Sequence, residues 1–172
     1  NDGSVVGLGS GSTIAYAFQE IGKRIKNEGL QIYGIPTSYQ AFMLATKHNI
    51  PITTLDEHPK PDLTIDGADQ IDKKLNLIKG MGGALLREKI VAAAAKKFVI
   101  VADESKITDN LGKNQQVPIE VLPFAFATVT SKVREMKGKP FLREGTRKVG
   151  PVVTDNGNFI IDIDFGQIKD PK

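Results

Sequence analysis

The sequence predicts an α/β fold, with a mostly parallel sheet flanked by helices and a small α+β lobe of antiparallel strands. Three observations predict it. Short apolar runs alternate with helical periodicity through the first hundred residues, the pattern of βα units around a parallel sheet. Gly9, Asp66 and Asp103 each fall just after an apolar run, where such sheets gather their ligands. After about Pro118 the alternation gives way to one helix and then strand-like runs around the turn signal Asp155-Asn156-Gly157-Asn158. The expected division is an α/β domain over residues 1–117 and the lobe over 118–172.

Each element has a local cause. Val5 to Leu8 is a short buried strand entering a glycine turn. Ser12 or Thr13 can cap a helix to about Asn27, with Ile14, Ala17, Phe18, Ile21 and Ile25 along one side, and Gly29 closes it. Leu30 to Ile35 is a second strand, and Ser38 caps a helix through about Lys47. Ile50 to Leu55 is a weaker third strand before the link containing Pro59 and Pro61. Leu63-Thr64-Ile65 is a fourth strand, Ala84 to Lys96 a helix with Leu86 and Ile90 on its expected core face, and Phe98 to Ala102 an apolar strand. In the lobe, a helix from Phe124 to Met136 precedes strands at 141–143, 152–154 and 159–163.

Composition excludes several functions. A formal charge of +3 with lysines dispersed among acids, three tyrosines and no tryptophan leaves no basic, stacking surface for nucleic acid. The longest apolar run, Ile90 to Ala95, is too short to cross a bilayer. With no cysteine there is no thiolate chemistry, and no export leader is visible, so the expected compartment is the cytoplasm. Both ends look cut, and the lobe is expected to be incomplete at its C-terminal side.

Two histidines leave few groups for proton transfer, and His48 and His58 match no metal-ligand spacing. Attention falls on Asp66-Gly67-Ala68-Asp69, Lys79-Gly80-Met81-Gly82-Gly83-Ala84 and Arg87-Glu88-Lys89. Asp66 and Asp69 are either turn carboxylates or acid–base groups at a strand end. The Lys79–Gly83 segment is either a flexible loop or a place where main chain and a cation approach a ligand. Glu88 is either a solvated helix residue or a base held above the small Ala84, Ala92 and Ala95. Upstream, Gly7-Leu8-Gly9-Ser10-Gly11-Ser12-Thr13 lacks the third glycine of a dinucleotide fingerprint and the lysine of a P-loop. It still offers backbone N–H groups and hydroxyls at a helix N-terminus, a setting for phosphate, or else it is an ordinary strand-to-helix turn. Lys106, after Asp103-Glu104-Ser105, is either a phosphate partner or a surface lysine.

In order and spacing these segments resemble ribose-5-phosphate isomerase, type A. Leu111-Gly112, Pro118-Ile119-Glu120-Val121 and Val153 through Asn158 extend the likeness over nearly the whole chain. The resemblance implies a Rossmann-like sheet and interconversion of ribose 5-phosphate and ribulose 5-phosphate through an enediolate, without metal or organic cofactor. By position, it implies that Glu88 moves the proton, and that Asp66 and Asp69 hold the sugar hydroxyls and assist ring opening. Lys79 with Gly80, Met81 and Gly82 would stabilise the oxyanion, while Ser10, Gly11, Ser12, Thr13 and Lys106 would bind phosphate. It also implies a homodimer or homotetramer. Met81 stands where the family commonly has glycine. A sugar-phosphate deaminase, an acyl-CoA transferase or a sugar-phosphate sensor would share the architecture. The first would be expected to place a histidine near its acidic base, and neither His48 nor His58 follows Asp66. The sensor would alter the carboxylate set, which here is intact.

Overall fold

The computed structural model describes residues 2–171. The chain divides into two compact units: Asn1–Gly67 with Leu86–Ala102, and Ala68–Leu85 with Asp103–Lys172.

The first unit is built on four parallel strands, β1 (Ser4–Leu8), β2 (Ile32–Pro36), β3 (Leu63–Asp66) and β6 (Phe98–Ile100), ordered β2-β1-β3-β6. Side chains alternate across a strand, so β1 serves both faces. Val6 and Leu8 join a core with Ile32, with Ile14 and Phe18 of helix α1 (Ser12–Glu28), and with Ala41 and Ala45 of helix α2 (Tyr39–Lys47). Val5 points the other way, toward Ile35 and Val91 of helix α3 (Leu85–Ala94). The chain leaves β1 toward β2 on one side, while β3 lies on the other. The carboxyl ends of β1 and β3 therefore form the topological switch point at which open α/β sheets bind ligands.

The predicted helices form close to their expected bounds. Gly29 ends α1 in the left-handed region at φ 70°, its N–H donating to the Arg24 carbonyl. Ser38 caps α2, its side chain accepting from the Ala41 N–H. At the start of α1 the N-cap is Gly11 rather than a hydroxyl residue, with φ 110° and ψ 173°. The expected strand at 50–55 reduces to a single bridge of Ile52 to Gly34, since Pro51 has no N–H to give a ladder. In α3 the inward residues are Glu88 and Val91; Ile90 is 49% exposed, so the core face differs from the expected one.

The second unit holds two antiparallel sheets. One is the short hairpin β4 (Gln70–Ile71) and β5 (Leu77–Ile78), not foreseen from the sequence. Asp72 shapes its turn, its Oδ1 accepting from the Lys74 and Asn76 N–H groups and its Oδ2 from the Asn76 amide. The other is β7 (Val117–Val121), β8 (Lys139–Leu142) and β9 (Phe159–Asp164), with β9 in the middle. Val121, Ile161 and Ile163 of this sheet pack with Val133 of helix α4 (Phe126–Glu135). No strand forms at 152–154. Both edges of β9 are already paired, and the Thr154 hydroxyl instead accepts from the Asn158 N–H and donates to Glu120 Oε1. The turn predicted at 155–158 is present, closed by the Gly157 N–H on the Thr154 carbonyl.

Candidate active site

In the first unit, the glycines of the β1–α1 turn answer to close approach more than to backbone dihedral. A Cβ added at Gly7 would lie 2.5 Å from Val91 Cγ1 and 2.8 Å from Thr64 Cβ. One added at Gly9 would overlap the Asp66 carboxylate, 2.5 Å from its Cγ and 2.7 Å from the Ile65 carbonyl oxygen. Only Gly11 of the three has a positive φ. The turn is thus pressed onto the end of β3, and Gly9 holds that contact with its N–H on the Ile65 carbonyl at 2.9 Å.

Asp66 ends β3 and is 3% exposed. Its Oδ1 accepts from the Gly67 N–H at 2.8 Å, and its own carbonyl takes the Val101 N–H at 2.9 Å. Glu88 is 5% exposed, one turn before Val91 on α3. Glutamate is almost never this buried without partners, so the solvated reading from the sequence does not hold.

The hydroxyls beside the turn form a network. Thr37 is 1% exposed and donates through both N–H and Oγ1 to the Leu8 carbonyl, each at 3.0 Å. Because that proton is committed, Ser10 Oγ donates to Thr37 Oγ1 at 3.1 Å and accepts from Ser38 Oγ at 2.6 Å. Ser10 therefore ties the turn to the start of α2, while Ser12 is exposed and Thr13 half-buried at the first turn of α1. Gly11 N–H donates to Gln40 Oε1 at 2.9 Å. A side-chain carbonyl thus occupies an amide at the N-terminus of a 17-residue helix, a place suited to an anionic oxygen. Arg87 lies over the Tyr39 ring, 5.5 Å from its centroid.

In the second unit, Asp69 enters the β4–β5 hairpin with its N–H on the Ile78 carbonyl at 2.8 Å. Its Oδ2 accepts the Met81 N–H at 3.0 Å, which ties Asp69 to the glycine-rich loop after β5. Gly80 (φ 98°) and Gly83 (φ 85°) close that loop through the Gly83 N–H on the Gly80 carbonyl, 3.0 Å. The Met81 carbonyl accepts Arg143 Nη1 at 2.7 Å. Lys79 is half-buried directly after β5. Lys106 closes a short 3₁₀ turn, Glu104–Lys106, in which Asp103 accepts from the Ser105 N–H at 2.9 Å. The hydrogen bonds of Ser105 are the leading cause that holds the Asp103 carboxyl below its ordinary range. The next residue, Ile107, bridges Ile71 of the hairpin, so Lys106 is held beside it.

Gln40, Thr37, Arg143 and Asp162 escaped the sequence reading. For the last there was a signal: an aspartate inside the apolar run Phe159-Ile160-Ile161-Asp162-Ile163 implies a buried charge with a partner. Among the described residues, no group of three or more histidine and carboxylate side chains could hold a metal ion, and no helix is long and apolar enough to cross a membrane.

Known proteins share this sequence and this fold. The family described as ribose 5-phosphate isomerase A (phosphoriboisomerase A) matches residues 33–172. The ribose-5-phosphate isomerase A of Methanosarcina acetivorans is 56% identical over all 172 residues, which span 73% of that protein. The solved ribose 5-phosphate isomerase A of Methanocaldococcus jannaschii superposes with a TM-score of 0.94 at 48% identity, over 99% of this chain and 75% of that one. A D-ribose-5-phosphate isomerase in complex with phospho-erythronic acid gives 0.95 at 47% identity, again over 99% and 75%. With that identity along its whole length, and with an α/β sheet whose switch point is lined by Gly9 and Asp66, the chain belongs to the ribose 5-phosphate isomerase A family.

Proposed function

We propose that this chain interconverts D-ribose 5-phosphate and D-ribulose 5-phosphate, an aldose–ketose isomerisation of the non-oxidative pentose phosphate pathway. Family membership supports the reaction, and the related enzyme solved with phospho-erythronic acid is an isomerase holding a phosphorylated sugar acid. The single observation that carries the chemistry is the burial of Glu88, at 5% exposure, on a helix of the catalytic sheet.

Glu88 is the base. It takes the proton from C2 of the open-chain aldose, leaving an enediolate; the proton of the C2 hydroxyl passes to the C1 oxygen, and Glu88 returns its own proton to C1 to give the ketose. A positioned base contributes about 10²–10⁴-fold. Asp66 and Asp69 hold the sugar hydroxyls and pass the ring-opening proton. Lys79 and the N–H groups of the Gly80–Gly82 loop stabilise the charge that develops on the enediolate oxygen, an interaction that strengthens only as the charge forms. Since the Met81 N–H is given to Asp69, Gly80 and Gly82 are the loop amides assigned to that oxygen. Gly11, Ser12 and Thr13 bind the phosphate at the α1 N-terminus with Lys106, and Ser10 holds the turn in shape. The phosphate displaces the Gln40 carbonyl from Gly11. No step calls for a metal or an organic cofactor.

Self-association into a homodimer or homotetramer accompanies this function. Fully exposed Phe124 and Val149, with Leu122, Met136 and Phe141 more than half exposed, support an apolar contact in the lobe assigned to residues 118–172. The cytoplasm is the proposed compartment.

The test is direct. The wild-type protein converts ribose 5-phosphate in excess chelator, and Glu88→Gln loses at least about a hundredfold in kcat while still binding the substrate. Full turnover by Glu88→Gln would remove Glu88 from the mechanism, and substrate binding without turnover in the wild type would favour a sensor.

A further inference from the structure

We propose that Arg143 is a positioning residue for the isomerisation, acting through the main chain of the glycine-rich loop. The inference rests on the function proposed above and concerns groups within the second unit only. Arg143 lies just after β8, 62 residues from Met81 in the chain. Its Nε donates to Asp162 Oδ2 at 2.7 Å, and its Nη2 donates to Asp162 Oδ1, a two-pronged pair in the middle strand β9. The remaining nitrogen, Nη1, donates to the Met81 carbonyl at 2.7 Å. Nη2 also touches the Met81 sulfur at 3.8 Å. The Arg143 and Asp162 side chains are only 18% and 11% exposed, so this geometry is little screened by water.

The consequence falls on the peptide next to the anchored one. Met81 is held at both ends, its carbonyl by Arg143 and its N–H by Asp69. A peptide group is planar, so fixing the Met81 carbonyl fixes the direction of the Gly82 N–H on the same peptide unit. Gly82 has open space around its Cα and Gly80 and Gly83 adopt φ values of 98° and 85°, so the glycines themselves restrain the loop little. The planar guanidinium supplies the restraint that they lack. It can serve a carboxylate with one edge and a carbonyl with another, which a lysine ammonium on a flexible stem does not reproduce. The side chain at position 81 adds to the same contact through its sulfur.

Arg143→Lys separates the two duties. The lysine keeps a cation beside Asp162, so the fold survives, but the grip on the Met81 carbonyl is lost. A charge-stabilising amide that is misdirected costs the transition state more than the bound substrate. The expected result is therefore a fall in kcat of about tenfold to a hundredfold with KM within about twofold of wild type. A second variant, Arg143→Met with Asp162→Leu, removes the pair without stranding a buried charge and should lose kcat to the same degree. Activities are referred to the folded fraction measured by circular dichroism on each sample. Wild-type kcat per folded molecule in either variant overturns the proposal, as does a failure of both to fold, which would assign the pair to stability alone. A wild-type protein that does not isomerise ribose 5-phosphate in the same assay would instead sink the function on which the inference rests.

Discussion

Replacing Gly9 with alanine tests the contact on which the first half of the site depends. The added methyl would sit 2.5 Å from Asp66 Cγ and 2.7 Å from the Ile65 carbonyl oxygen, well inside ordinary carbon contact distances of about 3.5–4.0 Å. The obstacle is not a flexible side-chain tip. The Ile65 carbonyl belongs to a central strand and already accepts the Gly9 N–H. Asp66 is anchored through its own Oδ1 on the Gly67 N–H. Relief therefore requires the turn to lift away from β3 or Asp66 to leave its place. Overpacking of this kind costs about 1–3 kcal/mol. For a chain of 172 residues, at about 2–4 °C per kcal/mol, the melting temperature should fall by roughly 2–12 °C. Displacing Asp66 by about an ångström should also lower kcat/KM for ribose 5-phosphate by about a hundredfold. Gly82→Ala is the matched control for melting alone, since a Cβ there meets nothing within 4 Å while its N–H belongs to the oxyanion loop. Thermal unfolding by circular dichroism on the two variants, and a coupled isomerase assay of Gly9→Ala against wild type, suffice. If Gly9→Ala melts and turns over like wild type, the close packing of the turn on Asp66 is not a constraint and the reasoning fails.

Two further outcomes follow from the same geometry. Ser38→Ala removes the α2 cap on the Ala41 N–H and the hydroxyl partner of Ser10, and should cost about 1 kcal/mol, a drop of roughly 2–4 °C in thermal melting; an unchanged melting temperature would count against the capping role. Acid should also weaken the fold. The hydrogen bond from Lys96 to Asp62, followed by that from the Val5 N–H, holds the Asp62 carboxyl below its ordinary value, and the Asn76 amide does the same for Asp72. For groups depressed in the folded state, the stabilisation is present above the unfolded value near 3.9 and is lost as pH falls through the folded one. Melting temperature should thus decline below about pH 4, and Asp62→Asn should decline less steeply; equal acid profiles for the two proteins would refute the assignment to Asp62.

Much of the fold was legible because its causes are local. The stripe Ile14, Phe18 and Ile21, the Ser38 cap and the Gly29 stop each act within one or two helical turns, so reading neighbours sufficed. The strand expected at 50–55 shrank to the one bridge of Ile52 to Gly34, whose bonds run to the Pro51 carbonyl and from the Thr53 N–H, because Pro51 has no N–H to carry the ladder further. The strand expected at 152–154 failed because β9 was already paired on both edges, by residues about twenty and about forty positions earlier.

For the site, the sequence by itself determined which groups are available: the glycine and hydroxyl turn at 9–13, the carboxylates Asp66, Asp69 and Glu88, and Lys79 with its loop. Tertiary structure decided what each is held against. It turned the Glu88 face of the helix inward in place of the expected Leu86 and Ile90 face, and pressed Gly9 onto Asp66 across 57 residues of chain. It also brought Arg143 to the Met81 carbonyl. The physical reason lies in range. Periodicity and capping are properties of adjacent residues, whereas the burial of a charge is tolerable only where distant strands and loops supply its partners, and those contacts exist only once the chain has folded.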